Sequence, residues 1–321
     1  MINIEKFLEK YYTPDEPIIL ACSTGPDSMY ILHKILETKF KKQLVVCYFN
    51  HKTRPETEKE EAFIEELGKK VGFPVEVAEC DFEKIKKLYP HKGFEELARE
   101  KRYQFFDAIC HIYKSKKIIT AHHLDDKIET FFFNLARGSK LTGLINMTEK
   151  SGSILRPLLE IEKKDILTYL DENNLEYHID ESNFDTKYSR NKIRNDILPH
   201  FGDVNQSYKK NISNIMKYFG EIKQHIDSEV LDFFNSSENT LSAPYNTSQN
   251  YFNIKIYFSL SELLQKEIIR YIYYITNNKS TIGLSERNIA EIIRFIGGKN
   301  NKTVKEIGKL KMEKDNIIIR F

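Results

Sequence analysis

Three short stretches carry side chains suited to holding anions and cations. The first is Cys22-Ser23-Thr24-Gly25-Pro26-Asp27-Ser28, entered through the apolar run Ile18–Ala21 and left through Met29–Leu36. A strand, a turn of small residues and a helix together present backbone N–H groups and a helix's positive end to a phosphate. Gly25 lets the backbone approach closely, and Ser23 and Ser28 add hydroxyl donors. No Gly-Lys-Ser/Thr closes the loop, so it is not a Walker loop. A carboxylate in such a cradle repels phosphate unless a metal or a lysine intervenes. Asp27 therefore points to Mg²⁺ bridging to ATP. The plainer alternative is a strand–helix turn capped by Asp27 or Ser28.

The second stretch is His122-His123-Leu124-Asp125-Asp126-Lys127-Ile128-Glu129-Thr130. Asp126 and Glu129 are three apart and share a face of a first helical turn. They either hold a cation or cap the helix, with Asp126 at the N-cap and Glu129 three residues on. His122 and His123 point in opposed directions at a strand end, which argues against a metal pair. In the third stretch, Gly93–Tyr103, Arg99 and Arg102 lie on one helix face. Two guanidinium forks there suit phosphate or carbonyl oxygens, the alternative being pairing of Glu95 with Arg99 on a solvated face. A fourth segment, Asp180–Arg194, is polar and places Arg190 and Arg194 at helical spacing.

The elements that must position these groups alternate. Strands are expected at 18–22, 43–49, 75–80 and 117–123, and helices at 27–40, 56–71, 94–113 and 126–137. Repeated strand–helix units imply a parallel sheet covered on both faces, with ligands at the carboxyl ends of its strands. That rule gathers Ser23–Ser28, Asn50–Arg54 and His122–Glu129 on one rim. Another short strand precedes Arg156-Pro157-Leu158-Leu159, and a helix spans 164–173. Beyond a boundary near residue 205 the pattern changes. One long helix is expected over 205–235, then a strand at 252–258, helices at 260–277 and 284–296, and strand-like pieces at 303–310 and 317–321.

At 321 residues, 40 % apolar and 30 % charged, the chain has the make-up of an ordinary globular protein of two domains. It contains no apolar run long enough for a membrane span, and its first residues lack a signal peptide's pattern. Cys22, Cys47, Cys80 and Cys110 are scattered, without a C-x-x-C. This spacing speaks against a disulfide scaffold, a zinc site or a cysteine-held cluster, and a reduced cytoplasmic enzyme is the simplest class. Residues 206–321 carry 17 Lys and Arg against 12 Asp and Glu. Six lysines fall between 299 and 314. Such a basic distal region suits a phosphate backbone, although charge alone favours a solvated face.

Taken together, the stretches resemble the tRNA(Ile)-lysidine synthetases. The first loop is similar to the Ser-Gly-Gly-x-Asp-Ser pyrophosphate loop of enzymes that split ATP into AMP and pyrophosphate. Asn50-His51, Glu95–Tyr103, His122–Thr130, Leu155–Leu159 and Asp180–Arg194 follow in that family's order and spacing. The resemblance implies an α/β fold: a parallel-sheet nucleotide-binding domain over 1–205, adenine nucleotide alpha hydrolase-like, with a smaller α+β C-terminal domain over 206–321 that helps hold tRNA. It implies a ligase of two steps. ATP adenylates the C2 oxygen of the wobble cytidine in a CAU anticodon and pyrophosphate leaves. An amine of free lysine then attacks C2 and AMP leaves. The wobble base must leave its stack to react.

On this resemblance, Ser23, Thr24, Gly25, Pro26, Asp27, Ser28, Asn50 and His51 bind ATP, with Asp27 holding its Mg²⁺. Asp126 and Glu129 belong to the lysine pocket. Arg102 and Arg194 stabilise activated cytidine or ATP phosphates, with Arg99 and Arg190 as neighbours. Arg190, Lys299, Lys302, Lys305 and Lys309 are the candidate tRNA contacts. No protein-bound metal cluster and no membrane are implied, and oligomeric state is left open. Two departures stand out. Thr24 replaces a Gly, and its β-branch resists positive φ and narrows the loop. Lys52-Thr53 replaces Gly-Leu, with Arg54 kept. The rival readings are a tRNA thiolase using the same adenylation, a non-catalytic tRNA-binding protein, and an amidating ligase acting on a small metabolite.

Overall fold

The computed structural model describes residues 2–52, 56–80, 85–87, 89, 91–145, 147–179, 189–236, 238–241 and 250–321. Arg54 and most of the Asp180–Arg194 segment, residues 180–188, lie outside them. The chain divides into two compact units, residues 1–217 and 218–321.

The first unit is built on strands β1 (Ile18–Ala21), β2 (Leu44–Asn50), β3 (Val75–Glu79), β4 (Ile118–Ile119), β5 (Lys150–Ser151) and β6 (Ile154–Leu155). They are ordered β3-β2-β1-β4-β6-β5. All pairings are parallel except the edge pair β5–β6. The helices are α1 (Ile4–Tyr11), α2 (Pro26–Leu36), α3 (Glu56–Val71), α4 (Phe94–Ile112), α5 (Leu124–Ala136) and α6 (Lys163–Glu172). All seven residues of β2 are buried, as a central parallel strand requires. Alternate residues of β1 serve opposite faces. Ile18 and Leu20 join Leu8, Met29, Ile31 and Leu170, while Ile19 joins Val45, Phe106 and Ile109. Helices therefore cover both faces, and the loops at the strands' carboxyl ends form the rim.

The expected elements of this unit are present with shifted ends. The strand expected at 117–123 pairs only over Ile118–Ile119, so His122 and His123 lie in the connection to α5. The helix expected at 27–40 ends at Leu36, and a 3₁₀ turn follows over Lys39–Gln43.

A long helix, α7 (Tyr208–Asn235), runs from the first unit into the second. The second unit adds β7 (Tyr251–Asn253), α8 (Glu262–Thr276), α9 (Glu286–Gly297), β8 (Thr303–Ile307), β9 (Leu310–Asp315) and β10 (Ile318–Arg320). These strands make an antiparallel sheet, β7-β10-β9-β8. The strand expected over 252–258 is overturned in its second half. Asn253 caps a helical turn, Ile254–Ser259, through its side chain to the Lys255 amide. The piece expected over 303–310 is the first arm of a hairpin turned at Gly308, whose φ is +58°. Among the described residues, no helix is long and apolar enough to cross a membrane.

Candidate active site

The turn after β1 is braced from below and open above. Ser28 Oγ accepts from the Ser23 amide at 3.2 Å and donates to the Gly25 carbonyl at 2.9 Å. Gly25 is the N-cap of α2, Pro26 opens the helix, and no side chain caps it. The capped-turn alternative therefore fails. Among the described residues, the Asp27 and Ser28 amides at the start of α2 have no intrahelical or side-chain partner, as at an anion-binding helix end. Thr24 and Ser28 are buried, so the open surface belongs to Ser23, Gly25, Pro26 and Asp27. A Cβ on Gly25 would sit 3.3 Å from Ser23 Oγ, on the cradle side.

Thr24 adopts φ +58°, the left-handed conformation its β-branch resists. The surroundings hold it there. Its hydroxyl donates to the Ser23 carbonyl at 2.7 Å, and its carbonyl accepts from the His178 amide at 2.9 Å. The residue is wholly buried, so its side chain is kept out of the open cradle.

Asp27 is neutralised by a residue the sequence reasoning did not single out. Lys163, first residue of α6, places Nζ 2.6 Å from Asp27 Oδ1, and its amide donates to Asp125 Oδ2 at 2.8 Å. The signal for it was present: a carboxylate in a phosphate cradle calls for a lysine or a metal, and Lys163-Lys164 follows the Arg156–Leu159 stretch. Asp125 is bound on its other oxygen by Lys209 Nζ at 2.6 Å. Burial opposes its ionisation, but His123, Lys209 and the Lys163 amide hold it well below the usual carboxylate range.

His123, not Asp126, is the N-cap of α5. Asp126 sits three residues in and accepts from the His123 amide at 3.0 Å. This frame shift puts Glu129 a turn inside the helix, free of any capping role. Arg194, on the π-helical turn Ile193–Ile197, forks onto Glu129 at 2.5 and 2.9 Å and reaches Asp126 Oδ1 at 3.3 Å. Glu129 is 4 % exposed. Burial holds its carboxyl above the ordinary value, even with Arg194 pulling it down. The buried His123 ring lies 3.6 Å from Asp27 and 3.5 Å from Asp126. Burial disfavours its charge, but the three surrounding aspartates raise its pKa.

His122 faces the other way, as the opposed directions require. Its Nδ1 is 2.9 Å from Thr120 Oγ1. Burial, aided by the positive fields of Arg156, Arg99 and Arg102 against that of Asp126, pushes it down to about 4. Arg99 stacks on Tyr103 with its guanidinium 4.8 Å from the ring centre. At the end of β2, Asn50 is 1 % exposed and its side chain is committed: Nδ2 donates to Glu61 at 2.7 Å and Oδ1 accepts the Lys52 amide at 2.8 Å. It shapes a turn in which Lys52 takes φ +47°, and His51 packs edge-on against Phe49.

In the second unit, Lys299, Lys302 and Lys309 are exposed. Lys305 pairs with Glu291 at 3.1 Å, and the buried Lys314 donates to the Ile296 carbonyl. The side chain of Arg190 lies outside the described residues. All four cysteines are free, and Cys22, Cys47 and Cys80 are buried. Burial pushes the Cys110 thiol up to about 11 and raises those of Cys22 and Cys47, which disfavours thiolate chemistry.

The rim thus joins an anion cradle to an acidic pair, Glu129 buried and Asp126 partly buried. Residues 1–201 match the PP-loop domain family. A tRNA(Ile)-lysidine synthase of Caldanaerobacter subterraneus is 30 % identical, over 99 % of this chain and 69 % of its own length. A tRNA(Ile)-lysidine synthase of Thermosipho africanus is 32 % identical over 72 % of this chain and 56 % of its own length. The bifunctional protein TilS/HprT of Listeria monocytogenes is 28 % identical over 93 % of this chain and 46 % of its own. The chain thus spans about half the length of the last two. Among solved structures, the U34-tRNA thiolase NcsA from Methanococcus maripaludis, which holds a [4Fe-4S] cluster, superposes with a TM-score of 0.56 at 16 % identity. That match covers 70 % of this chain and 78 % of the thiolase, and shows a shared fold. The chain belongs to the PP-loop family of the tRNA(Ile)-lysidine synthases.

Proposed function

We propose that the protein ligates free L-lysine to C2 of the wobble cytidine of a CAU-anticodon tRNA(Ile), in the cytoplasm, using ATP. The observation that carries this reading is the Asp126–Glu129 pair beside the phosphate loop, Glu129 buried and Asp126 partly so, already holding a cationic side chain. A cation-binding pair next to an adenylating loop suits an amine nucleophile that also carries a spare ammonium group.

The Ser23 hydroxyl and the amides of Gly25, Asp27 and Ser28 cradle the departing pyrophosphate. ATP arrives as its Mg²⁺ complex. Asp27 is the carboxylate of the loop available to that ion, with Lys163 limiting its repulsion of phosphate. The C2 oxygen of cytidine attacks the α-phosphorus, and the bond to pyrophosphate breaks. Lysine then attacks C2, and the oxygen leaves with AMP. Asp126 and Glu129 hold the ammonium, and the raised carboxyl of Glu129 suits it to accept a proton. For lysine to enter, Arg194 must release them. The freed guanidinium is then available to a phosphate. Arg102, from α4 and with Arg99 beside it, serves the activated cytidine instead. His51 and Asn50 border the nucleotide site, Asn50 through the turn it shapes. The exposed Lys299, Lys302 and Lys309, with Arg190 and Lys305, are the proposed tRNA contacts.

Incubation with ATP, lysine and a CAU-anticodon tRNA(Ile) transcript, followed by nucleoside mass spectrometry, tests this. Lysine-bearing cytidine with AMP formed is expected. ATP left intact with tRNA bound would overturn it in favour of a binding protein. Reversing Lys299, Lys302 and Lys309 to Glu is expected to weaken tRNA affinity at least tenfold; unchanged affinity removes the lysine cluster from the interface.

A further inference from the structure

Arg156 belongs to a stretch singled out in the sequence, yet the reaction above gives it no work. It follows β6, whose neighbour β4 leads to His122. Arg156 is 8 % exposed. One terminal nitrogen donates to the Thr148 carbonyl at 3.0 Å, and its buried Nε has no hydrogen-bond partner. Burying a guanidinium with an unmet donor is costly unless something binds there. Arg99 and Arg102 come from α4 to the same place. The fields of all three arginines reach the His122 ring, and that of Arg99 reaches both Arg102 and Arg156. Among the described residues, none of the three has a carboxylate partner, whereas Asp27, Asp125, Asp126 and Glu129 are all held by cations.

We infer that Arg156, Arg99 and Arg102 form a phosphate site for the RNA strand that carries the reacting base. Three guanidiniums converging without an acid form an anion site, and their forks match phosphate oxygens. The site lies two strands from the phosphate loop across the sheet, about 10 Å. That is too far to share the pyrophosphate and near enough for the nucleotide that receives the adenylate. Tyr103, with Arg99 stacked on it, supplies the aromatic surface that unpaired RNA favours beside a basic groove. The inference rests on the proposed RNA substrate.

The test compares Arg156→Gln, Arg156→Lys and Arg99→Gln by fluorescence anisotropy with an anticodon stem-loop RNA at several salt concentrations, and with ATP alone. Lys41→Gln is the control. Lys41 is exposed, on the 3₁₀ turn that leads into the amino end of β2, away from the rim at the strands' carboxyl ends. The expected result is a roughly tenfold loss of RNA affinity in both Gln variants. The salt dependence should become shallower by about 0.7 per contact removed. Arg156→Lys should restore the slope, and ATP affinity should stay within about twofold of wild type. An unchanged slope in folded Arg156→Gln, an equal change in Lys41→Gln, or a loss of ATP rather than RNA affinity would overturn the inference. If Arg156→Gln fails to fold, Arg99→Gln on the helix surface decides by the same readings. Binding is read here, not lysine transfer. Wild-type protein that binds both ligands but transfers no lysine would contradict the proposed reaction and leave this site standing.

Discussion

The two sides of the connection between β4 and α5 are opposites. On the His123 side every charge is answered: Asp27 by Lys163, Asp125 by Lys209, Glu129 and Asp126 by Arg194. On the His122 side Arg99, Arg102 and Arg156 gather with no carboxylate partner among the described residues, although the field of Asp126 reaches the His122 ring. Two adjacent histidines, alternating as neighbours in extended chain must, face the two environments, and their pKa values move apart accordingly. A side with its charges paired is stable as it stands, and a ligand must exchange with a residue already there. A side with like charges unpaired is held by the fold and satisfied by an incoming anion. On this account the cation and anion sites of one reaction sit back to back across a single loop.

The largest predicted effect comes from breaking the paired side. Glu129→Gln removes the charge that holds Arg194 and, on the proposed reaction, the lysine ammonium. Lysine affinity should fall on the order of 10²-fold, while ATP affinity is kept. Parallel titrations with lysine and ATP check this, and an equal loss of both would mean that Glu129 merely supports the fold.

The unpaired side is tested through His122. Its folded pKa of about 4 lies below the ordinary 6.5. Between those values the unfolded state binds more protons, so this group's contribution to stability is lost as pH falls from about 6.5 toward 4. NMR titration of the ring should give a midpoint near 4, rising once an anion neutralises the arginines. A midpoint at 6.5 in the free protein would mean that the three positive fields and the burial do not reach it.

The smallest effect is at the phosphate loop after β1. Thr24→Gly relieves left-handed strain of about 1 kcal/mol but frees the unfolded chain by a similar amount. Stability from urea unfolding should stay within about 1 kcal/mol, and ATP affinity should be retained. Loss of ATP binding in the folded variant would show that the Thr24 hydroxyl shapes the cradle.

Much of this was legible in residue types and spacing. The buried runs of β1 and β2 announced a parallel sheet, and Ser23–Ser28 announced the cradle on its rim. The pairing of Asp126 with Glu129 on one helical face was also visible. Their partner was not, because Arg194 lies 65 residues beyond Glu129 and reaches it only through a π-helical turn that no local pattern signals. The carboxylate of the loop called for a lysine or a metal, but not for Lys163 in particular, which lies 136 residues from Asp27. The strand expected over 252–258 gives way after Asn253, whose side chain caps a helical turn, Ile254–Ser259, that the residue pattern did not signal. Thr24 shows tertiary contacts overriding a local preference.

The most direct test of the paired-side account is calorimetric titration of lysine into wild-type protein and Arg194→Gln, both with ATP present. If Arg194 occupies the ammonium site at rest, its removal leaves Asp126 and Glu129 unanswered, and lysine should bind about tenfold more tightly, a gain of about 1.4 kcal/mol. Equal or weaker binding in Arg194→Gln would contradict the account and make Arg194 part of the lysine pocket itself.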